Sequence, residues 1–324
     1  MNIKGLTYDD VLQALRTEGK CSGKVDPNEY HAMKPRLEAE LGVPVVSKSS
    51  LADFLASPYR YKFNLDHKIR KQTESLTFGS LIDCLVLTPE LYEAQYLCEP
   101  VRVQTKKDGT PYADGRQDPA QREDWAAREA EGITVIAPET LAKARAVAEV
   151  ATAALAEDKL AAGETFDSQV GMWVYLTSIA GRELVCPIVV TGMLDICPRM
   201  AGTPLRDLKS TSVDVGSPTQ LCYTIEDWHY GLQGALYSDM WQICSGEEEA
   251  RAFSFLFVGK SEPFMARSVH VGEDVLDLYR AEYAHAIIRY CLAWKTGDWG
   301  EAKQSSIYFS PSSREYKRIQ NLEA

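Results

Sequence analysis

A chain of 324 residues with 45% hydrophobic and 25% charged residues can bury a large core and has ordinary globular composition. It contains no run of about 18 apolar residues, and its start, MNIKGLTYDDVL, lacks a charged segment followed by an apolar one, so the reading is a cytoplasmic protein without a membrane span. The formal net charge of −11 argues against a general nucleic-acid coat protein, which gains affinity from a basic surface, but not against an enzyme whose carboxylates meet DNA through bound cations.

Residues 1–45 mix weak helical periodicity with turn residues and read as an N-terminal extension without identifiable chemistry. SKSSLADFLASPYRYKF then predicts a helix with Ser50 as N-cap, Asp53 at its third position and Leu51, Phe54 and Leu55 at helical spacing before Pro58. A second helix follows in TFGSLIDCLVLTPELYEAQYL, stopped or kinked near Pro89. Residues 103–124 are polar and rich in Gly, Pro and Asp, the composition of a long surface loop; its Lys106, Lys107, Arg116 and Arg122 suit either a DNA-guiding or intersubunit segment or a merely solvated one. The alanine-rich stretch near 138–160 reads as a helical insertion or arm. From about 169 the chain turns β-rich: QVGMWVYLTS, ELVCPIVVTGMLDIC, PLRDLKSTS, RAFSFLFVGKS and FMARSVHV predict a mostly antiparallel sheet, with helices over 224–246 and 274–297. The eight cysteines include no CxxC pair and read as buried thiols.

The chemistry concentrates on one predicted hairpin. If residues 192–198 and 204–210 pair symmetrically about Ala201, Asp195 faces Asp207. Directly opposed like charges are destabilising, and Lys209 on the same face supplies only one positive charge, so a divalent metal is the better partner. The bland alternative is an Asp195 that ends one strand, an Asp207 that starts the next, and a solvated Lys209 at an edge. On the following helix, Gln233 and Tyr237 share one face, and Gly234 beside them allows close approach of another backbone. Asp83 lies on an almost wholly apolar helix, where a buried carboxylate needs either a structural partner or a metal. His229 reads as a surface or packing residue, and the Trp and Tyr residues of the 224–242 segment as core, with one or two available to touch DNA.

Asp-x-Lys on a strand followed by Gln-xxx-Tyr on a helix resembles the RecB-type branch of the PD-(D/E)xK nucleases. SKSSLADFLASPYRYKF is similar to that branch's Ser-x-Ser helix, FGSLIDCLVLTPELYEAQY to the Gly-xxx-His helix of RecE-type exonucleases (exodeoxyribonuclease VIII), and WHYGLQGALYSDMW to their Gln-xxx-Tyr helix. GITVIAPETLAKARAVAEVA and FSFLFVGKSEPFMARSVHV fit in type and order, so the resemblance spans about residues 46–300. Two positions depart: Asp83 stands where the family has histidine, and Gln169, with Asp167 nearby, where it usually has an acidic residue.

The resemblance implies a restriction-endonuclease-like α/β (α+β) core, a mixed sheet flanked by helices, over residues 46–310, with a tail at 311–324. It further implies that Asp195, Asp207, Lys209, Gln233 and Tyr237 are catalytic, and that Asp83, Asp195, Asp207 and the Leu208 carbonyl hold Mg2+, for which Mn2+ substitutes. No iron-sulfur cluster is expected, since only Cys291 lies near the C-terminus. The implied activity is exonucleolytic digestion of linear double-stranded DNA from its ends by a homo-oligomer of phage or prophage type, exposing a single strand for a RecT-like annealing recombinase. A catalytically weakened nuclease fold that binds DNA or another protein is the alternative.

Overall fold

The computed structural model describes residues 5–69, 74–157 and 165–301; the expected tail at 311–324 lies outside them. Helix α1 (Tyr8–Thr17) starts from a capping box in which Thr7 and Asp10 satisfy each other's amides. β1 (Lys20–Lys24) leads to α2 (Pro27–Leu41), capped by Asp26 and ended by Gly42 in the left-handed region at φ 65°. β2 (Val45–Ser47) runs straight into α3 (Lys48–Ala56), and Ser57–Pro58 restarts the chain as α4 (Pro58–Asp66). The cap of α3 is Ser47, not the expected Ser50: Ser47 Oγ accepts the Ser50 amide, while Ser50 is buried in the first turn and its hydroxyl accepts from Lys34 Nζ at 2.8 Å.

α5 (Glu74–Leu87) ends before Pro89, as expected, and a 3-10 turn carries the chain into α6 (Tyr92–Gln95) and β3 (Tyr96–Cys98). The predicted loop closes at 118 rather than 124, because Asp118 caps α7 (Pro119–Ala130) through the Ala120 and Gln121 amides. β4 (Thr134–Ile136) precedes α8 (Pro138–Glu157). Then come β5 (Phe166–Ile179), β6 (Arg182–Pro198), β7 (Leu205–Thr211), α9 (Pro218–Asp227), α10 (Tyr230–Ser245), β8 (Phe253–Gly259), β9 (Ala266–Val271) and α11 (Glu273–Thr296). The single helix expected over 224–246 is therefore two, parted where His229 adopts φ 50°.

The main sheet runs β1-β5-β6-β7-β8-β9, antiparallel except for β7 with β8, and β2 lies parallel to β6. Parallel neighbours need a crossover, and α9 and α10 supply it between β7 and β8. Both faces are covered, so β8 is apolar throughout: Phe253, Phe255 and Phe257 pack toward α10 and α11, Leu256 and Val258 toward α5 and α8. α8 is thus a layer of the fold rather than an arm, with Leu141, Ala144, Val147 and Ala151 buried against α5 and the sheet. Nor do the first 45 residues form an appendage. β1 pairs with β5, and α1 and α2 bury Val11, Leu15, Met33 and Leu37 with Trp173 and Val189, because the β5–β6 face would otherwise be exposed there. Among the described residues no helix is long and apolar enough to cross a membrane.

Candidate active site

The site lies where the sheet forks. β2 takes the edge of β6 at Val189–Thr191, and β7 meets that edge at Ile196, opposite Arg206. In the register set by that pair, Asp195 faces Asp207, as the symmetric hairpin predicts. Asp195 Oδ2 accepts the Leu208 amide at 3.0 Å, which fixes one carboxylate against the neighbouring strand. Asp207 is only 2% exposed; its Oδ1 accepts from Gln233 Nε2, and its Oδ2 is ion-paired with Lys209 without a further hydrogen bond. Gly79 and Asp83 are four apart on α5 and so share a face. A Cβ at position 79 would lie 3.3 Å from Ser210 Oγ of β7, so the glycine lets α5 press against that strand and brings Asp83 to the site.

These groups line one cleft of about 780 Å3, together with Leu208, Lys34, Lys48, Lys260, Trp228, Tyr230 and Tyr237. Its electrostatics are those of carboxylates pressed together in a poorly solvated wall. Burial above all, then the Asp207 and Asp83 charges, push the Asp195 carboxyl well above the usual carboxylate range. Burial likewise lifts Asp83 to about 7, with Asp207 adding to it and Lys209 and Lys260 opposing. Lys209 is held above the ordinary lysine range: burial acts to lower it, but Asp207 and Asp195 outweigh that. Its ammonium lies 4.8 Å from the centre of the Tyr230 ring, and Lys48 Nζ lies at the same distance.

A divalent cation fits this donor set. Asp83 has no hydrogen-bond or ion-pair partner among the described residues, and the carboxyls raise one another's proton affinity, which is the charge surplus a cation would neutralise. Among the described residues no three His, Cys, Asp or Glu side chains are already gathered as a metal shell. Magnesium, however, takes only one or two carboxylates, with water and substrate oxygens completing its octahedron.

Tyr237 enters differently from its neighbours. It is buried, its hydroxyl meets the Met193 backbone, and its ring occupies the space above Gly192, so it shapes the strand beneath Asp195. Neither Gln169 nor Asp167 lines the cleft. Asp167 is 1% exposed and accepts from Arg199 Nε and Nη2 at 2.8 Å each, with Lys24 Nζ at 3.1 Å; Gln169, at φ 53°, is buried away from the cleft. Lys106, Lys107, Arg116 and Arg122 do not line the cleft; Arg116 instead pairs with Asp114 and lies 4.7 Å from the Tyr112 ring centre. His229 Nδ1 lies 3.2 Å from Glu282 Oε1. Sequence reasoning missed Lys34, Lys48 and Tyr230; the only trace was the Ser-x-Ser stretch, which places Lys48 at the mouth of the fork.

No protein-family model and no curated protein matches the chain. Among solved structures, it is similar to the crystal structure of a "putative exonuclease" from Eubacterium rectale, with a TM-score of 0.51 and 15% identity over 93% of this chain and 98% of that one. The two share a nuclease-like α+β fold, a mixed sheet flanked by helices, over nearly their whole lengths.

Proposed function

We propose that the protein is a divalent-metal-dependent DNA exonuclease that digests linear duplex from its ends and leaves a single strand for an annealing recombinase. The observation that carries this is the constellation on the forked hairpin: Asp195 opposite Asp207, with Lys209 and Gln233 both committed to Asp207. Asp83, Asp195, Asp207 and the Leu208 carbonyl would hold Mg2+ or Mn2+, each ion taking one or two of the carboxylates; the metal would supply a bound water of lowered pKa and neutralise charge on the scissile phosphate.

Each residue has a separable task. The Leu208 amide and Gln233 Nε2 fix the two carboxylates in orientation, which would otherwise turn away from each other. Those carboxylates hold the Lys209 ammonium above the ordinary lysine range against the effect of burial, and its compact charge suits a non-bridging phosphate oxygen as charge builds in the transition state. The burial of Asp207 excludes bulk water and strengthens these interactions. Likeness of fold to the E. rectale protein supports the reading.

Incubation of end-labelled linear duplex with wild type, Asp207→Ala and Lys209→Ala, with and without Mg2+, tests it. Cleavage by wild type with Mg2+ alone, and its loss by about 100-fold or more in both variants, is expected, since removal of one group that stabilises transition-state charge costs about 10²–10³. Activity within a few-fold of wild type in either variant would overturn the assignment; DNA binding by wild type without cleavage under any metal would favour a weakened, binding-only fold.

A further inference from the structure

Trp228 is the aromatic residue of this region that the fold leaves in the open. Tyr237 and Trp241 are buried and Tyr230 is engaged with two lysines, but Trp228 is 64% exposed and lines the same cleft as Asp195 and Asp207. Its indole makes no hydrogen bond, ring stack or cation contact among the described residues. An exposed tryptophan alone would mean little. This one is held in place by its backbone: its amide donates to Thr224 O at 3.1 Å and its carbonyl accepts from Lys48 Nζ at 2.7 Å. The next residue, His229, adopts φ 50° and is tied to Glu282, so the break between α9 and α10 is fixed on both sides. The result is an unpartnered apolar ring on an anchored backbone, in the same cleft as Lys48 and Lys209. That is the pairing of π-face and cation by which proteins bind an unpaired strand, the ring taking a base and the lysines the adjoining phosphates.

Resting on the nuclease reading above, we infer that Trp228 is a stacking platform for an unpaired nucleobase at the end of the DNA strand entering the cleft. The site would therefore prefer frayed or single-stranded termini over blunt, fully paired ones. Stacking does not depend on which base is presented, since every base has a π-face, so the preference should be for unpaired structure and not for sequence.

The test uses the full wild-type chain with Ca2+ in place of Mg2+, so that binding is read apart from Mg2+-dependent cleavage, and a duplex with a short single-stranded end bearing 2-aminopurine at its terminal base. Binding should quench the 2-aminopurine fluorescence; Trp228→Ala should abolish the quench and weaken affinity about tenfold, the order expected for one base–aromatic stack, while Trp228→Phe should retain most of both. A terminal abasic site should make the two proteins bind alike. An unchanged quench in Trp228→Ala, or equal loss of affinity on normal and abasic ends, overturns the inference while leaving the nuclease reading intact. Failure of the wild type to bind any DNA overturns both. Because the side chain is exposed, an unchanged thermal midpoint in Trp228→Ala is expected and shows that folding is not what is being measured.

Discussion

Lys48 carries a pH dependence that the carboxylates do not. Burial first, then the positive charge of Lys209, pull its ammonium down to about 8, against the attraction of Asp207 and Asp53, with Tyr230 and the Trp228 carbonyl as its contacts. The folded pKa lies below the unfolded one, so from about pH 8 to the ordinary lysine value the unfolded chain holds a proton that the folded chain has released. Stability therefore gains a contribution as pH rises through that window. Urea melts of the Lys48→Met variant should lack this rise, and an identical pH profile to wild type would show that Lys48 is not the group concerned. Binding of a phosphate has the opposite requirement, a charged side chain. Oligonucleotide affinity should accordingly fall between pH 7 and 9 in wild type and fall less in Lys48→Arg, whose guanidinium stays protonated. The opposed carboxylates give a second expectation. Asp195→Asn removes like charge facing Asp207, so in the absence of divalent cations it should raise the thermal midpoint by about 2–4 °C, the change that roughly 1 kcal/mol produces in a mid-sized domain, while abolishing cleavage. A lowered midpoint would mean that the Leu208 amide bond to Asp195 outweighs the repulsion.

Between elements, the tightest fit to the site is the crossing of α10 over β6 at Gly192. A Cβ there would lie 2.6 Å from Tyr237 Cε1, and the ring is walled in, so it cannot move aside. Gly192→Ala should cost about 1–3 kcal/mol, as overpacking of a filled core does, and the double variant with Tyr237→Leu should recover part of that loss. Equal stability of Gly192→Ala and wild type in chemical melts would show that the ring is free to shift. The same crossing shows what could be read in advance. The hairpin was legible because branched apolar stretches end at Pro198 and Pro204, which fix the turn, and a period of two then decides which residues face each other. The Gln233–Tyr237 spacing was legible as one helical face, although only Gln233 reaches Asp207 and Tyr237 supports the strand below. What was illegible came from long-range pairing. Lys34 and Lys48 reach the cleft because three residues, Val45–Ser47, pair with Val189–Thr191, a contact too short to carry a pattern. The partner of Asp167 could not be read locally either; Arg199 arrives through the antiparallel return of β6. The break of α9 from α10 escaped notice since Trp228–His229 holds no glycine or proline to signal it.

At the scale of the whole molecule, a net charge of −11 sets the terms on which DNA can be approached. Long-range attraction would be weak, and among the described residues the lysines that line the cleft are few: Lys34, Lys48, Lys209 and Lys260. Each phosphate neutralised contributes about 0.9 to the slope of log affinity against log salt on duplex DNA, so four contacts give a slope of about −3 to −4, and the Lys48→Met variant should lose about one. A slope near −10 would mean that a basic surface outside the cleft carries the binding. So shallow an attachment also bears on processivity. A monomer held by four lysines would dissociate between cleavage steps, whereas a closed ring of subunits keeps the strand by topology and needs little affinity. If the protein digests long DNA without release, it should therefore form an assembly larger than a monomer by light scattering, shorten linear duplex progressively, and leave covalently closed circles intact, because a ring can load only at an end. A monomer that cuts circles as readily as linear DNA would place its selectivity in the cleft alone and remove the need for enclosure.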